Sequence, residues 1–120
     1  MLPTDTNALL LLHNPHCSKS RAAKALLDAR GIAYEERRYL ETPLSGGELA
    51  DLAQRLGRPL RTLVRSQEPA YRDLALENAS DEALLVALAR RPELLERPVL
   101  VRGPCAAIGR PPEAILELLP

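Results

Sequence analysis

The residues able to do chemistry crowd into one stretch, His13-Asn14-Pro15-His16-Cys17-Ser18-Lys19-Ser20-Arg21. An unbroken apolar run, Ala8-Leu9-Leu10-Leu11-Leu12, precedes it, and Ala22, Ala23, Leu26 and Leu27 follow at helical spacing. A strand end, a turn and a helix start therefore meet at Cys17. A thiol there faces unpaired backbone N–H groups and the positive end of the helix dipole. Both favour the thiolate, which is the nucleophilic form. The same N–H groups can seat a tetrahedral oxyanion. One short loop thus offers a nucleophile and an anion seat together.

The ordinary fate of a free cysteine is burial as a small hydrophobe, but polar residues flank Cys17 on both sides. Position 20 is Ser, giving Cys-x-x-Ser, so the loop holds no resolving thiol and an outside one is needed. A phosphatase-like Cys-x5-Arg loop is excluded, because Ala23 stands where its arginine would be. Cys105 falls at a predicted hairpin turn, five residues before Arg110. At about 3.3 Å per strand residue that is roughly 16 Å along the strand, against about 7 Å between the Cα atoms of a disulfide. Cys105 reads as incidental. His13 and His16 flank the turn, His16 on its exposed side. Asn14 and Ser20 suit side-chain bonds that shape the loop.

The elements that must position this loop follow from the pattern. Residues 8–12 form a buried strand, ended by His-Asn-Pro. Ser18 to Arg30 is a helix with Gly31 at its stop. Ile32 to Tyr39 is a second strand, charged enough to lie at an edge. After the linker Leu40–Leu44, Ser45-Gly46-Gly47-Glu48 is a capping box, opening a helix with Leu49, Leu52 and Leu56 on one face and Gly57 at its end. Leu60 to Arg65 is a further short helix, and Ser66 to Asn78 a loop with a helical turn at most. Ser80-Asp81-Glu82 starts a helix with Leu84, Leu85 and Leu88 inward, stopped before Pro92. Val99-Leu100-Val101 and Cys105–Ile108 form a hairpin, and Pro111-Pro112-Glu113 begins a last helix over Ala114 to Leu119. Strand–helix–strand, then hairpin–helix, is the plan of an α/β fold with a thioredoxin-like mixed sheet. Residues 1–120 read as one such domain, with a helical insertion at about 43–92.

Composition narrows the function classes. The 120 residues are 46% hydrophobic, with no Phe, no Trp and three Tyr, so the core is aliphatic. Tyr34, Tyr39 and Tyr71 read as core or half-buried surface. Sixteen basic residues balance 16 acidic ones, which gives no electrostatic footing for nucleic acid or a membrane surface. The longest apolar run is far short of the roughly 20 residues that span a bilayer, and the first residues lack a signal peptide's pattern. Two cysteines suit neither a disulfide framework nor a zinc site. The expected setting is cytoplasmic and reduced, with no metal and no bound cofactor. Only Lys19 and Lys24 are lysines, and the remaining basic residues are all Arg, the better fork for an oxyanion.

Read together, His13-Asn14-Pro15-x-Cys17-x-x-Ser20-Arg21, Tyr39-Leu40-Glu41-x-Pro43, Leu56-Gly57, Arg61-x-Leu63-x-Arg65, Glu96-Arg97-Pro98-Val99 and Ile108-Gly109-Arg110-Pro111-Pro112-Glu113 resemble the glutaredoxin-linked arsenate reductase family. The likeness runs over residues 8–119. It implies a thioredoxin-like fold with an inserted helical region. It also implies Cys17 as nucleophile on arsenate, Arg65, Arg97 and Arg110 holding the oxyanion, and His13 lowering the thiol's pKa. A cis bond is implied before Pro98, facing the cysteine. Glutathione would be the co-substrate, and glutaredoxin the partner that resolves the mixed disulfide. Two other readings share the fold. One is a regulatory protein of the Spx type that binds RNA polymerase, against which the Ser at position 20 and the full arginine set both count. The other is a glutathione-linked thiol reductase acting on another anion.

Overall fold

The computed structural model describes residues 1–119. Its centre is a four-stranded sheet in the order β2-β1-β3-β4, with β1 at Leu9–His13, β2 at Glu35–Arg38, β3 at Val99–Arg102 and β4 at Cys105–Ile108. β1 pairs parallel to β2 and antiparallel to β3, and β3 pairs antiparallel to β4. This is the expected thioredoxin-like mixed sheet.

β1 is continuously apolar because both of its faces are covered. Leu10 and Leu12 join Val99, Val101 and Ala106 in a core with Leu49, Leu52, Leu84 and Leu88 from the helical segment between β2 and β3. Leu9 and Leu11 point the other way, with Leu100, onto Ala23, Leu27 and Ile115. Three layers result, with all of β1 and Val99–Val101 of β3 buried.

α1 (Ser18–Ala29) ends in a Schellman motif: Gly31 at φ 65° donates to the Asp28 carbonyl and Ile32 to that of Leu27. Closing the helix takes the Ile32 N–H, and the strand predicted from Ile32 starts only at Glu35. It is an edge strand, as its charge suggested. α2 (Gly46–Leu56) carries both bonds of the Ser45–Glu48 capping box and stops at Gly57 with φ 71°. α4 (Asp81–Arg90) is capped by Ser80, whose hydroxyl accepts from Ala83 N–H.

Three predictions need correction. Leu60–Leu63 is a 3-10 turn rather than the start of an α-helix. The stretch 66–78, read as a loop, contains α3 (Pro69–Asp73) and a 3-10 turn at Leu76–Asn78. Arg61 organises it, donating to the Tyr71 hydroxyl and to the carbonyls of Leu76 and Ala79. The last helix is 3-10 over Pro112–Leu118. Ile115 and Leu118, three residues apart, both pack into the core on the α1 side of the sheet, the alignment of a three-residue turn.

Candidate active site

Cys17 is the N-cap residue of α1, with extended backbone and 8% exposure. The loop behind it is closed by short local bonds. Asn14 Oδ1 accepts from His16 N–H at 2.9 Å, Cys17 N–H donates to the Asn14 carbonyl at 3.0 Å, and Asn14 N–H donates to Ser20 Oγ at 3.0 Å. Arg21 fastens the outside by donating to the Pro15 carbonyl.

Ser20 is fully buried and its Oγ lies 2.7 Å from His13 Nδ1. Because that oxygen already accepts from Asn14, its one hydrogen is free for Nδ1. When the hydroxyl donates, Nδ1 is the acceptor and the proton of a neutral His13 sits on Nε2. Burial holds its pKa below the usual histidine range. Glu36 opposes that shift, and the cations Lys24, Arg38 and Arg21 reinforce it.

Burial pushes the Cys17 thiol up, yet the backbone N–H of Ser20, the facing Arg97 guanidinium and the N–H of Lys19 together bring it below the ordinary thiol value. The groups that favour thiolate are thus a helix N-terminus and one arginine. Nε and Nη1 of Arg97 are buried and have no hydrogen-bond partner among the described residues. A guanidinium is always charged, and buried donors in native proteins are almost always paired.

The other two arginines belong to the same frame. A bridge between Val64 and Leu95, with Arg65 N–H on the Leu94 carbonyl and Glu96 N–H on that of Leu63, joins the segment carrying Arg65 to the one carrying Arg97. Arg110 Nε donates to the Arg97 carbonyl at 3.2 Å, and Gly109 N–H to that of Pro98 at 2.8 Å. The Arg97–Pro98 bond is cis, as the resemblance implied, and so is Arg110–Pro111. Gly109 is obligatory at this junction, since a Cβ there would lie 2.6 Å from Pro98 Cγ.

Two residues without a role in the sequence reading also stand here. Tyr39, 1% exposed, puts its hydroxyl among Asn14, Cys17, Arg97 and Arg65. Burial drives its pKa up to about 12. Its signals in the sequence were its place at the end of the charged second strand and its position in the Tyr39-Leu40-Glu41-x-Pro43 motif. Glu96 faces Arg110 Nε at 3.3 Å and Arg65 Nε at 3.9 Å. Its hint was its place beside Arg97 in the Glu96-Arg97-Pro98-Val99 motif, to which the sequence reading gave no role. His16 is exposed, and Cys105 is exposed at the hairpin and unpaired.

The ArsC family profile matches residues 12–118. An arsenate reductase of Neisseria meningitidis serogroup A is 46% identical over 112 residues, covering 91% of this chain and 96% of its own. The Escherichia coli protein YfgD, of uncharacterized activity, is 43% identical over 117 residues, covering 95% of this chain and 98% of its own. The solved structure of an arsenate reductase from Vibrio cholerae superposes with a TM-score of 0.90 at 44% identity, over 96% of this chain and all of that one. The family profile over residues 12–118 and the likeness to these relatives lead to one assignment: the chain belongs to the ArsC family.

Proposed function

We propose that the protein is an arsenate reductase that uses glutathione and glutaredoxin, with Cys17 as nucleophile. The observation that carries this reading is the Arg97 guanidinium, buried beside the sulfur with two nitrogens unpaired. Those donors fit the oxygens of a tetrahedral anion placed for attack by the thiolate. Arg65 and Arg110 flank it and add the charge needed to bring a thiolate and a dianion together.

In the proposed sequence the Cys17 thiolate attacks arsenic, and one arsenate oxygen leaves as water after protonation, forming an S–As bond. Glutathione then attacks. Arsenic takes two electrons, passing from As(V) to As(III), while the two sulfurs are oxidised to a Cys17–glutathione disulfide. A glutaredoxin thiol exchanges into that disulfide and frees Cys17. Ser20 and Asn14 keep the loop closed, and His13 acts through Ser20, whose N–H faces the sulfur. Pro98 holds Arg97 against the site. Both thiol reductants are cytoplasmic, the setting proposed for this protein. No helix among the described residues is long and apolar enough to cross a membrane.

The test couples arsenate to NADPH oxidation with glutathione, glutaredoxin and glutathione reductase present. Turnover should vanish in Cys17→Ser and persist in Cys105→Ser. Folded protein with no turnover at any arsenate level would overturn the arsenate reading.

A further inference from the structure

The acidic residue inside the arginine frame is unusual for an anion site. Glu96 spans two of the three guanidiniums, with Oε2 at 3.3 Å from Arg110 Nε and Oε1 at 3.9 Å from Arg65 Nε. Both separations exceed the roughly 2.7–2.9 Å of a well-made charged hydrogen bond. Other pairs in this protein are closer: Arg37 meets Glu48 at 2.6 Å, and Arg65 itself meets Glu68 at 2.9 Å through Nη1. Glu68 already anchors Arg65, so Glu96 is superfluous as a strut for that arginine. Arg110 is likewise anchored through the Arg97 carbonyl.

Resting on the anion-binding reading above, we propose that Glu96 sets the charge selectivity of the site: its carboxylate occupies Arg65 and Arg110 until a tetrahedral dianion takes its place. A monoanion that displaced it would exchange one negative charge for another and gain little. A dianion with oxygens directed at Arg65, Arg97 and Arg110 gains a second charge and satisfies the unpaired Arg97 donors at once. The displaced side chain has somewhere to go. Glu96 and Arg110 line an open groove with Thr62 and Arg58, and Arg58 has no ion pair among the described residues. The Glu96 side chain is 20% exposed and its backbone is fixed by the bond to Leu63, so a swing into this groove needs rotamer changes only.

The experiment measures protection of Cys17 from iodoacetamide by sulfate and by nitrate, at constant ionic strength, in a Cys105→Ser background. With Glu96 present, sulfate should protect and nitrate should not. In Glu96→Gln, which keeps shape and hydrogen bonding, sulfate should protect at roughly tenfold lower concentration, the order expected of removing one nearby charge, and nitrate should begin to protect. Glu96→Ala should shift both anions in the same direction. Unchanged or weaker sulfate protection in both variants would overturn the proposal and make Glu96 a strut, leaving the anion site intact. Failure of sulfate to protect any of the proteins would overturn the anion-binding reading along with it. Neither readout requires arsenate turnover.

Discussion

Replacing Arg97 by methionine should make the protein more stable and chemically inert. Methionine keeps a long flexible stem and removes the charge. Nε and Nη1 of Arg97 are buried without partners, and each uncompensated buried donor costs about 1–3 kcal/mol. Part of that is offset by the facing sulfur, so a net gain of about 1–2 kcal/mol is expected on substitution. For a domain of this size that raises Tm by roughly 3–8 °C. The effect on the thiol has the opposite sense. The facing guanidinium is among the groups that hold the Cys17 thiol below its ordinary value, so losing it should move that pKa upward. Thermal melts in anion-free buffer and alkylation rates against pH, both in Cys105→Ser protein, read the two effects. Sulfate should raise the melting temperature with Arg97 present, by mass action on the folded state, and leave the methionine variant unmoved. A variant that melts lower without anion, or whose alkylation profile does not shift, would refute the view that Arg97 is held unpaired for a ligand.

Gly109→Ala should cost about 1–3 kcal/mol in urea melts, because the new methyl would sit 2.6 Å from Pro98 Cγ and 3.2 Å from Ile115 Cγ2; an unchanged midpoint would contradict that close approach. His13 should show Nδ1 bare and Nε2 protonated in nitrogen NMR spectra at neutral pH, and a protonated Nδ1 would contradict the Ser20 bond direction. Its folded pKa is lowered by burial, so the unfolded state binds the proton first. The stability due to neutral His13 is then complete above the unfolded value of about 6.5 and declines as pH falls through the folded one. Relative to His13→Gln, the native protein should therefore lose stability between neutral and mildly acid pH.

The features legible in the sequence are those made by neighbouring residues. Cys17 at a helix start, the Ser45–Glu48 box and the stops at Gly31 and Gly57 depend on spacings of a few positions, and each stands where it was expected. The arginines were placed by resemblance to a family, since no local rule tells Arg97 from Arg102. What the residues could not reveal was set by distant contacts. Tyr39 looks like the end of a half-exposed strand until the fold brings Asn14, Cys17 and Arg97 around it. Glu96 reads as one more surface carboxylate until Arg65 and Arg110 arrive from 31 positions before it and 14 after. The order in 66–78 was hidden for the same reason, because Arg61 supplies its bonds from outside the segment. Arginine's excess over lysine has a structural side as well. Arg37, Arg55, Arg61 and Arg102 each donate to backbone carbonyls of loops or turns, which a single ammonium point charge would do less well.

The bridge between Val64 and Leu95 has a consequence for how this architecture can vary. The chain leaves the frame at Arg65 and returns at Leu94, and these two residues are themselves bonded, N–H to carbonyl, at 2.8 Å. Everything between them is an excursion whose exit and re-entry are clasped. Lengthening, trimming or exchanging that module need not displace the guanidiniums mounted on its base, provided the clasp survives. The outer contour of the molecule is in this way decoupled from the arginine frame, and lineages could remodel the one while inheriting the other unchanged.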